Sequence, residues 1–330
     1  MESRVNMSRI SVLMSVKDGQ LFLNESLEAI RHNIRRDDEV IVIDDGSTDK
    51  TLHILNSSAS SFPQLRILSN NGSGLVDALN LGIQEASNDW IARFDVDDRY
   101  STSRLEDERL MISSNIVGIF SDYSIWTDKS RFLGLIPSPV LPLATGISLI
   151  RSQRTAHPSA LINRSAVLDV GGYRREDFPA EDISLWLRLL RVGSLVSCPK
   201  ELLYYRISST SVSGVQYRLA KSKTSELVRT LGLPQGLLSE AINSCEHSLE
   251  SYKALSKSND RSVLHLNEIR HAIKIFGVSR QEQVSFQKNL MTLAMDPQNY
   301  LSAVDLGQWK ARRFITQFSS RSRSFFPKSN

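Results

Sequence analysis

Three carboxylates fall within four residues at Asp95-Val96-Asp97-Asp98, just after Arg93-Phe94. Closely set carboxylates are hard oxygen ligands, suited to Mg²⁺ or Mn²⁺ held through one or two side chains while a diphosphate supplies further oxygens. If the preceding strand persists to its tip, Asp95 and Asp97 share one side and Asp98 takes the other. A second acidic pair opens the stretch Asp44-Asp45-Gly46-Ser47-Thr48-Asp49. Adjacent carboxylates repel unless a donor group, a ligand or a cation offsets them. Ser47 or Thr48 can cap a helix starting near Lys50, which accounts for the two hydroxyls and leaves Asp44 and Asp45 unexplained. A third pair, Glu181-Asp182, precedes apolar residues Ile183, Trp186, Leu187 and Leu190 that mark one face of a helix. The pair then lies in the first turn, where negative charge suits the helix dipole and where a carboxylate can take a proton from an incoming hydroxyl. The fourth segment is Ser15-Val16-Lys17-Asp18. His157, ahead of Pro158, has two readings, an approach to metal or diphosphate and a hydrogen bond within the core, and the second is favoured.

These segments share a position. Short apolar runs predict buried strands at Ile10 to Met14, Val40 to Ile43, Leu65 to Leu68, Trp90 to Phe94 and Ile116 to Phe120. Between them, Leu23, Leu27, Ile30 and Ile34, and then Leu75, Leu79, Gly82 and Ala86, recur at helical spacing. The order β-α-β-α-β-α-β calls for a parallel sheet joined by right-handed crossovers. In such sheets the carboxyl ends of the strands line the ligand crevice, and the acidic segments stand there. Further on, a strand is expected at Ser159 to Ile162, a helix at Ile183 to Leu190 and a strand at Leu195 to Cys198. Beyond Ser213 the pattern is helical, with Leu249, Tyr252 and Leu255 on one face, Ile269, Ile273 and Phe276 on another, and breaks at Gly232, Gly277 and Gly307.

Composition narrows the class. The 330 residues are 41% hydrophobic and 23% charged, which suits a globular chain and excludes collagenous or wholly disordered ones. The most apolar stretch, Leu133 to Ile150, is interrupted by Pro137, Pro139 and Pro142, so no membrane span is expected. MESRVNMSRI lacks the apolar core of a signal peptide, and two cysteines, Cys198 and Cys245, form neither a disulfide framework nor a zinc motif; a cytoplasmic location is expected. Residues 1–214 carry 23 Lys and Arg against 27 Asp and Glu, whereas residues 215–330 carry 17 against 9. Trp309 to Asn330 holds six basic residues and no acidic one, interleaved with aromatics, which reads either as a peripheral anchor on an anionic leaflet or as a segment docked on its own domain. Trp90, Trp126, Trp186 and Trp309 are expected in the core rather than as sugar platforms.

The succession ISVLMSVKDG, VIVIDDGSTDKT, NGSGLVDALNLGIQEASNDWIARFDVDD and GGYRREDFPAEDISLWLRLLRVG resembles the family 2 inverting glycosyltransferases of GT-A fold, over roughly residues 8–214. Arg104-Leu105-Glu106, His157-Pro158-Ser159 and Tyr205-Arg206 are similar to non-processive bacterial enzymes of exopolysaccharide, capsule or O-antigen assembly. The resemblance implies an α/β Rossmann-like GT-A fold with a mostly parallel sheet and a catalytic domain at 1–214; the helical, basic region at 215–330 falls outside it. It implies that Ser15 and Asp45 contact the donor base with Asp44 close by, and that Asp95 and Asp97 hold donor ribose and diphosphate through Mn²⁺ or Mg²⁺ with Asp98 as helper. It implies that Asp182 is the catalytic base, with Glu181 next in line, and that Gly171 and Gly172 let backbone pass close to donor or acceptor. Lys17 departs from the pattern, standing where many relatives carry a stacking aromatic, and no Gln-x-x-Arg-Trp follows Asp182, which disfavours a processive polymerase.

The expected activity is transfer of one sugar from a nucleotide-diphosphate donor, a UDP-sugar, to a glycan or lipid-linked acceptor, with the chain at most peripherally attached to the inner membrane and no nucleic-acid partner. Two other readings stand beside it. One is a non-catalytic binder of glycan or partner enzyme, disfavoured because every carboxylate the chemistry requires is present. The other is a nucleotidyltransferase, for which SVKDGQ is poor in glycine and basic residues.

Overall fold

The computed structural model of this chain describes residues 8–127, 129–138, 155–207 and 217–231. The first part alternates as the apolar runs require: β1 (Ile10–Val16), α1 (Leu23–Asn33), β2 (Glu39–Asp44), α2 (Thr51–Ala59), β3 (Leu65–Ser69), α3 (Leu75–Glu85) and β4 (Trp90–Asp95). A short β5 (Arg99–Tyr100) and α4 (Arg104–Arg109) lead to β6 (Ile116–Thr127) and β7 (Phe132–Ile136). After a 3-10 turn (His157–Ser159) come β8 (Leu161–Asn163), α5 (Arg164–Asp169), α6 (Glu181–Leu189), β9 (Ser194–Ile207) and α7 (Tyr217–Leu231).

The strands form one sheet in the order β3-β2-β1-β4-β8-β6-β9-β5, with β7 paired to β6. The ladders β2–β3, β1–β2, β1–β4 and β6–β9 are parallel, while β8, β5 and β7 pair antiparallel. Side chains alternate across the sheet, so β1 sends Leu13 to one face and Val12 and Met14 to the other. On the first face Leu13, Ile41 and Ile43 meet α3 and α6; on the second Val12, Met14, Val40 and Val42 meet Leu23, Leu27 and Ile30 of α1, Leu55 of α2 and Leu105 of α4. Gly82 of α3 is required by this packing, because a Cβ there would lie 2.1 Å from Leu13 Cδ1.

Several elements differ from the sequence expectation. The strand expected at Ser159 to Ile162 begins only at Leu161, since Ser159 N–H and Ala160 N–H turn back to the carbonyls of Ala156 and His157. The runs ending at Phe120 and Cys198 continue to Thr127 and Ile207. Polar residues hide these continuations: in β6, Asp122 accepts from Ser138 N at 2.9 Å and Ser138 Oγ donates to the Ser121 carbonyl at 2.6 Å, while Ser121 Oγ is buried with no partner among the described residues, and β9 passes through the exposed Lys200 and Glu201. Helix α6 is buried on nearly every side rather than along one face, Ser184, Leu185, Arg188 and Leu189 included. Trp90 and Trp186 lie in the core, whereas Trp126 is half-buried against Phe132.

The chain divides into two compact units, Met1–Leu237 and Leu238–Asn330. Helix α7 belongs with the first, because Leu227 is buried in the cluster that holds α6 and Arg191 donates to the Leu231 carbonyl, so this unit runs past residue 214. Among the described residues no helix is long and apolar enough to cross a membrane. The helical faces built on Leu249 and Ile269, the glycine breaks from Gly232 on, and the basic-aromatic segment from Trp309 lie outside the described residues.

Candidate active site

Register brings the Ser15, Asp44 and Asp95 segments to one edge. Ser15 on β1 pairs with Ile43 on β2 and with Asp95 on β4, and Val16 pairs with Asp44. The loops that follow β1 and β2 are laced together. Asp18 N donates to Ser47 Oγ at 3.0 Å, Thr48 N donates to Asp18 Oδ1 at 2.7 Å, and Gly19 N donates to Thr51 Oγ1 at 2.8 Å. The backbone N–H of Thr48 holds the Asp18 carboxyl below its ordinary pKa. Ser47 and Thr48 therefore serve the neighbouring loop and do not cap α2, whose first N–H groups go to Gln20 Oε1 from Lys50 (3.1 Å) and to Asp49 Oδ1 from Thr51 (2.9 Å). Lys17 is exposed beside this lacework.

Asp44 and Asp45 are both buried, and each is supplied with donors. Ser47 N approaches both oxygens of Asp44 at 3.3 Å. Asp45 Oδ1 accepts from Asn70 Nδ2 at 2.7 Å and from Gly74 N at 3.0 Å, which ties the start of α3 to the tip of β2.

The cluster at the tip of β4 is arranged otherwise. The strand ends at Asp95 and the chain turns through Val96 and Asp97, so the alternation expected for Asp95, Asp97 and Asp98 does not extend past Asp95. The backbone of Asp95 donates to Tyr100 Oη at 2.7 Å, and its Oδ1 receives the buried Arg93 guanidinium at 2.5 Å. Arg104, fully buried, lies over the rings of Phe94 and Tyr100 and donates to Arg93 O at 3.0 Å, which fixes the strand end from below. Asp98 turns inward and accepts from Arg206 N at 2.7 Å through Oδ1, while its Oδ2 is buried with no hydrogen-bond partner among the described residues.

Helix α6 begins with Glu181 and Asp182. Asp182 Oδ1 accepts from Ile183 N at 2.7 Å, and Glu181 Oε2 is buried without a partner among the described residues. Burial pushes Asp182 up to about 6, and burial together with the Asp182 charge pushes Glu181 up to about 8. Burial and the Asp95 charge push Asp97 up to about 6 and Asp98 well above its ordinary value. The Asp95 charge also acts on Glu181 and Asp182, so the β4 tip and the α6 start form one electrostatic unit. Arg93 and Arg206 are the cations set against Asp97.

This is an excess of buried negative charge, with two carboxylate oxygens left unpaired, and a divalent cation with a diphosphate fits that need. Among the described residues no three Asp, Glu, His or Cys side chains form a ready-made cage.

Around the unit stand residues whose part sequence alone did not assign. Tyr173 Oη and His157 Nε2 are 2.8 Å apart, and His157 packs on Trp186. Burial and the Arg93 charge keep His157 well below its ordinary pKa, so it is a neutral partner of Tyr173. Gly172, at φ +63°, abuts Asn80, where a Cβ would lie 2.6 Å from Oδ1; the Asn80 side chain brackets the backbone of Tyr173, its Oδ1 accepting from Tyr173 N and its Nδ2 donating to Tyr173 O, both at 2.9 Å. Arg93 could have been found as a lone cation inside an apolar strand run, whereas Tyr100, Tyr173 and the backbone of Arg206 left no such signal. Beside Arg206 opens a cavity of about 250 Å³ lined by Arg99, Trp126, Thr127, Ser130, Tyr204 and Arg206, which makes Trp126 a wall residue and not a core one.

Residues 11–121 match the sequence profile of the family described as Glycosyl transferase family 2. The chain is similar to UDP-Gal:alpha-D-GlcNAc-diphosphoundecaprenol beta-1,3-galactosyltransferase of Escherichia coli, 28% identical over 228 residues, covering 65% of this chain and 81% of that one. Its fold is shared with S. aureus TarS 1-349 in complex with UDP-GlcNAc, at TM-score 0.55 and 16% identity over 94% of this chain and 92% of that one. It is also similar to the mannosyltransferase PcManGT from Pyrobaculum calidifontis in complex with GDP-Man and Mn²⁺, at TM-score 0.50 and 15% identity over 96% and 88%.

Proposed function

We propose, for a chain whose residues 11–121 form a glycosyl transferase family 2 domain, that it moves one sugar from a UDP-sugar to a hydroxyl of a glycan or lipid-linked acceptor of bacterial surface polysaccharide, with inversion at the anomeric carbon. The observation that carries this reading is the electrostatic unit of Asp95, Asp97 and Asp98 with Glu181 and Asp182 at the edge of the sheet. The relatives' UDP-sugar donors and diphosphoundecaprenol acceptor support the donor and acceptor classes.

In this reading Ser15, Asp44 and Asp45 border the donor base, with Asp45 acting through the Asn70 and Gly74 contacts that hold the wall in place. Asp95 and Asp97 would hold Mn²⁺ or Mg²⁺, and Asp98 steadies their loop through Arg206 N. The ion, when bound, offsets charge developing on the leaving diphosphate. Asp182 takes the proton of the acceptor hydroxyl as its oxygen bonds the anomeric carbon and the bond to the diphosphate breaks on the opposite face. Burial raises both carboxyls, Glu181 further because the Asp182 charge adds to it, which supports Asp182 as the group that stays ionised and acts as base.

The test is transfer and UDP release across a panel of nucleotide sugars, with wild type and Asp182→Asn. Loss of a general base costs ~10²–10⁴ in kcat, with UDP affinity within about a fewfold of wild type. Retention of most turnover by Asp182→Asn moves the base elsewhere, and no turnover of any donor by wild type rejects the enzymatic reading.

A further inference from the structure

The β6–β7 hairpin has an unusual surface. β7 is bonded to β6, and no other strand among the described residues pairs with it. Phe132, Leu133 and Leu135 are 52%, 49% and 47% exposed. Phe132 and Leu133 are consecutive, so they project to opposite faces of the strand, and on each face about half of the side chain is open to solvent. An apolar edge strand of this kind is normally blunted or covered in a water-soluble chain. Exposed Lys129 and Arg131 sit at the turn beside these side chains. Apolar groups flanked by cations match the boundary of an anionic leaflet, where the rings and branched chains enter the acyl edge and the cations meet phosphate.

The hairpin is continuous with the cavity. Trp126 packs edge-on against Phe132, with ring centroids 5.3 Å apart, and Trp126, Thr127 and Ser130 of the hairpin line the cavity together with Arg99, Tyr204 and Arg206. Two guanidinium groups face one carboxylate there: Glu25 pairs with Arg99 and stands 3.5 Å from Arg206. Arg206 is also drawn to Asp97, which leaves Arg99, half exposed and shared with Glu25, beside an indole and a phenol ring, groups that suit a phosphate ester carrying a sugar. The backbone N of Arg206 holds Asp98, so one end of this cavity borders the acidic centre.

We propose that the hairpin rests on the surface of an anionic bilayer and that the cavity at its base receives the phosphorylated head of a long-chain lipid held in that bilayer. The inference rests on the glycosyl-transfer reading only in making that lipid the acceptor; the binding site stands on the hairpin and the cavity. It assigns bilayer contact to Phe132, Leu133 and Leu135, with Lys129 and Arg131 beside them.

The experiment is co-sedimentation of the full chain with vesicles of phosphatidylcholine alone, with added phosphatidylglycerol, or with an added polyprenyl phosphate, alongside UDP calorimetry on the same preparations. Wild type should sediment with both doped vesicles and favour the polyprenyl phosphate. The surface variant F132S/L133S/L135S should lose about tenfold in bound fraction on both, as expected when the apolar part of an interfacial contact is removed, and keep its UDP affinity. Arg99→Ala should keep phosphatidylglycerol binding and lose the preference for polyprenyl phosphate. Sedimentation of the triple variant equal to wild type, sedimentation of neither, or a vesicle-free dimer of wild type that the triple variant abolishes would each overturn the proposal. Absence of UDP binding by wild type would instead count against glycosyl transfer and leave the lipid result standing.

Discussion

Asp44-Asp45 at the tip of β2 and Asp95 to Asp98 at the tip of β4 look alike as sequence, two acidic clusters ending two apolar runs one strand apart in the sheet. In the fold they are opposites. The Asp44-Asp45 pair is supplied with N–H donors from Ser47, Asn70 and Gly74, and the wall that it holds is complete without any ligand. The Asp95 to Asp98 cluster, joined electrostatically to Glu181 and Asp182, has a buried oxygen on Asp98 and another on Glu181 with no partner among the described residues, and its carboxyls are driven upward by burial and by one another. We read the first pair as ordered by protein donors alone, and we propose the second cluster as the place that a cation-bearing ligand completes.

The difference is broken most strongly by neutralising one member of each cluster. Asp45→Ala should destabilise the fold by about 1–3 kcal/mol, because Asn70 and the Gly74 N–H lose a buried acceptor. Asp98→Asn should leave thermal stability unchanged or raise it, since it removes charge from a self-repelling site while keeping shape, and should weaken cation-supported UDP binding. Melting curves of the two variants decide this; equal losses of stability would erase the distinction.

A smaller effect is expected in pH. Glu181 is raised from 4.5 to about 8, so its protonated form is favoured in the folded chain. A carboxyl raised in this way lends stability that is complete below its unfolded pKa and lost as pH rises through its folded one. In chelator, the melting temperature should therefore fall between roughly pH 5 and 8. Glu181→Gln should flatten that slope; an unaltered slope in Glu181→Gln removes this source of strain. The smallest effect belongs to the scaffold side. Ser47→Ala withdraws one acceptor from the exposed Asp18 N–H and should cost about 0.5–1 kcal/mol by denaturant titration, with the cation dependence of UDP binding as in wild type.

The residue types of both clusters, and the alternating elements from β1 to β4 that carry them, were legible in the sequence because apolar runs and helical spacing are local signals. What separated the clusters was not local. The donors to Asp45 come from 25 and 29 residues away and the donor to Asp98 from 108 residues away, so no window of sequence contains them. The same reason hid the continuation of β6 through Ser121 and Asp122, polar residues that the fold buries, whereas β9 runs on past Cys198 through Pro199 and the exposed Lys200 and Glu201. Trp126 was misplaced in the core because an aromatic in an apolar run gives no sign of whether the neighbouring element closes over it or leaves a cavity.

The central claim is that the β4 tip is completed by a divalent cation with a nucleotide diphosphate. Calorimetry of UDP binding with and without Mn²⁺, on wild type and Asp97→Ala, tests it most directly. The account predicts that Mn²⁺ strengthens UDP binding to wild type by at least about tenfold, or ~1.4 kcal/mol, and that Asp97→Ala abolishes this gain while retaining the weak cation-free affinity. Equal cation dependence in the two proteins, or no cation dependence in wild type, would contradict it.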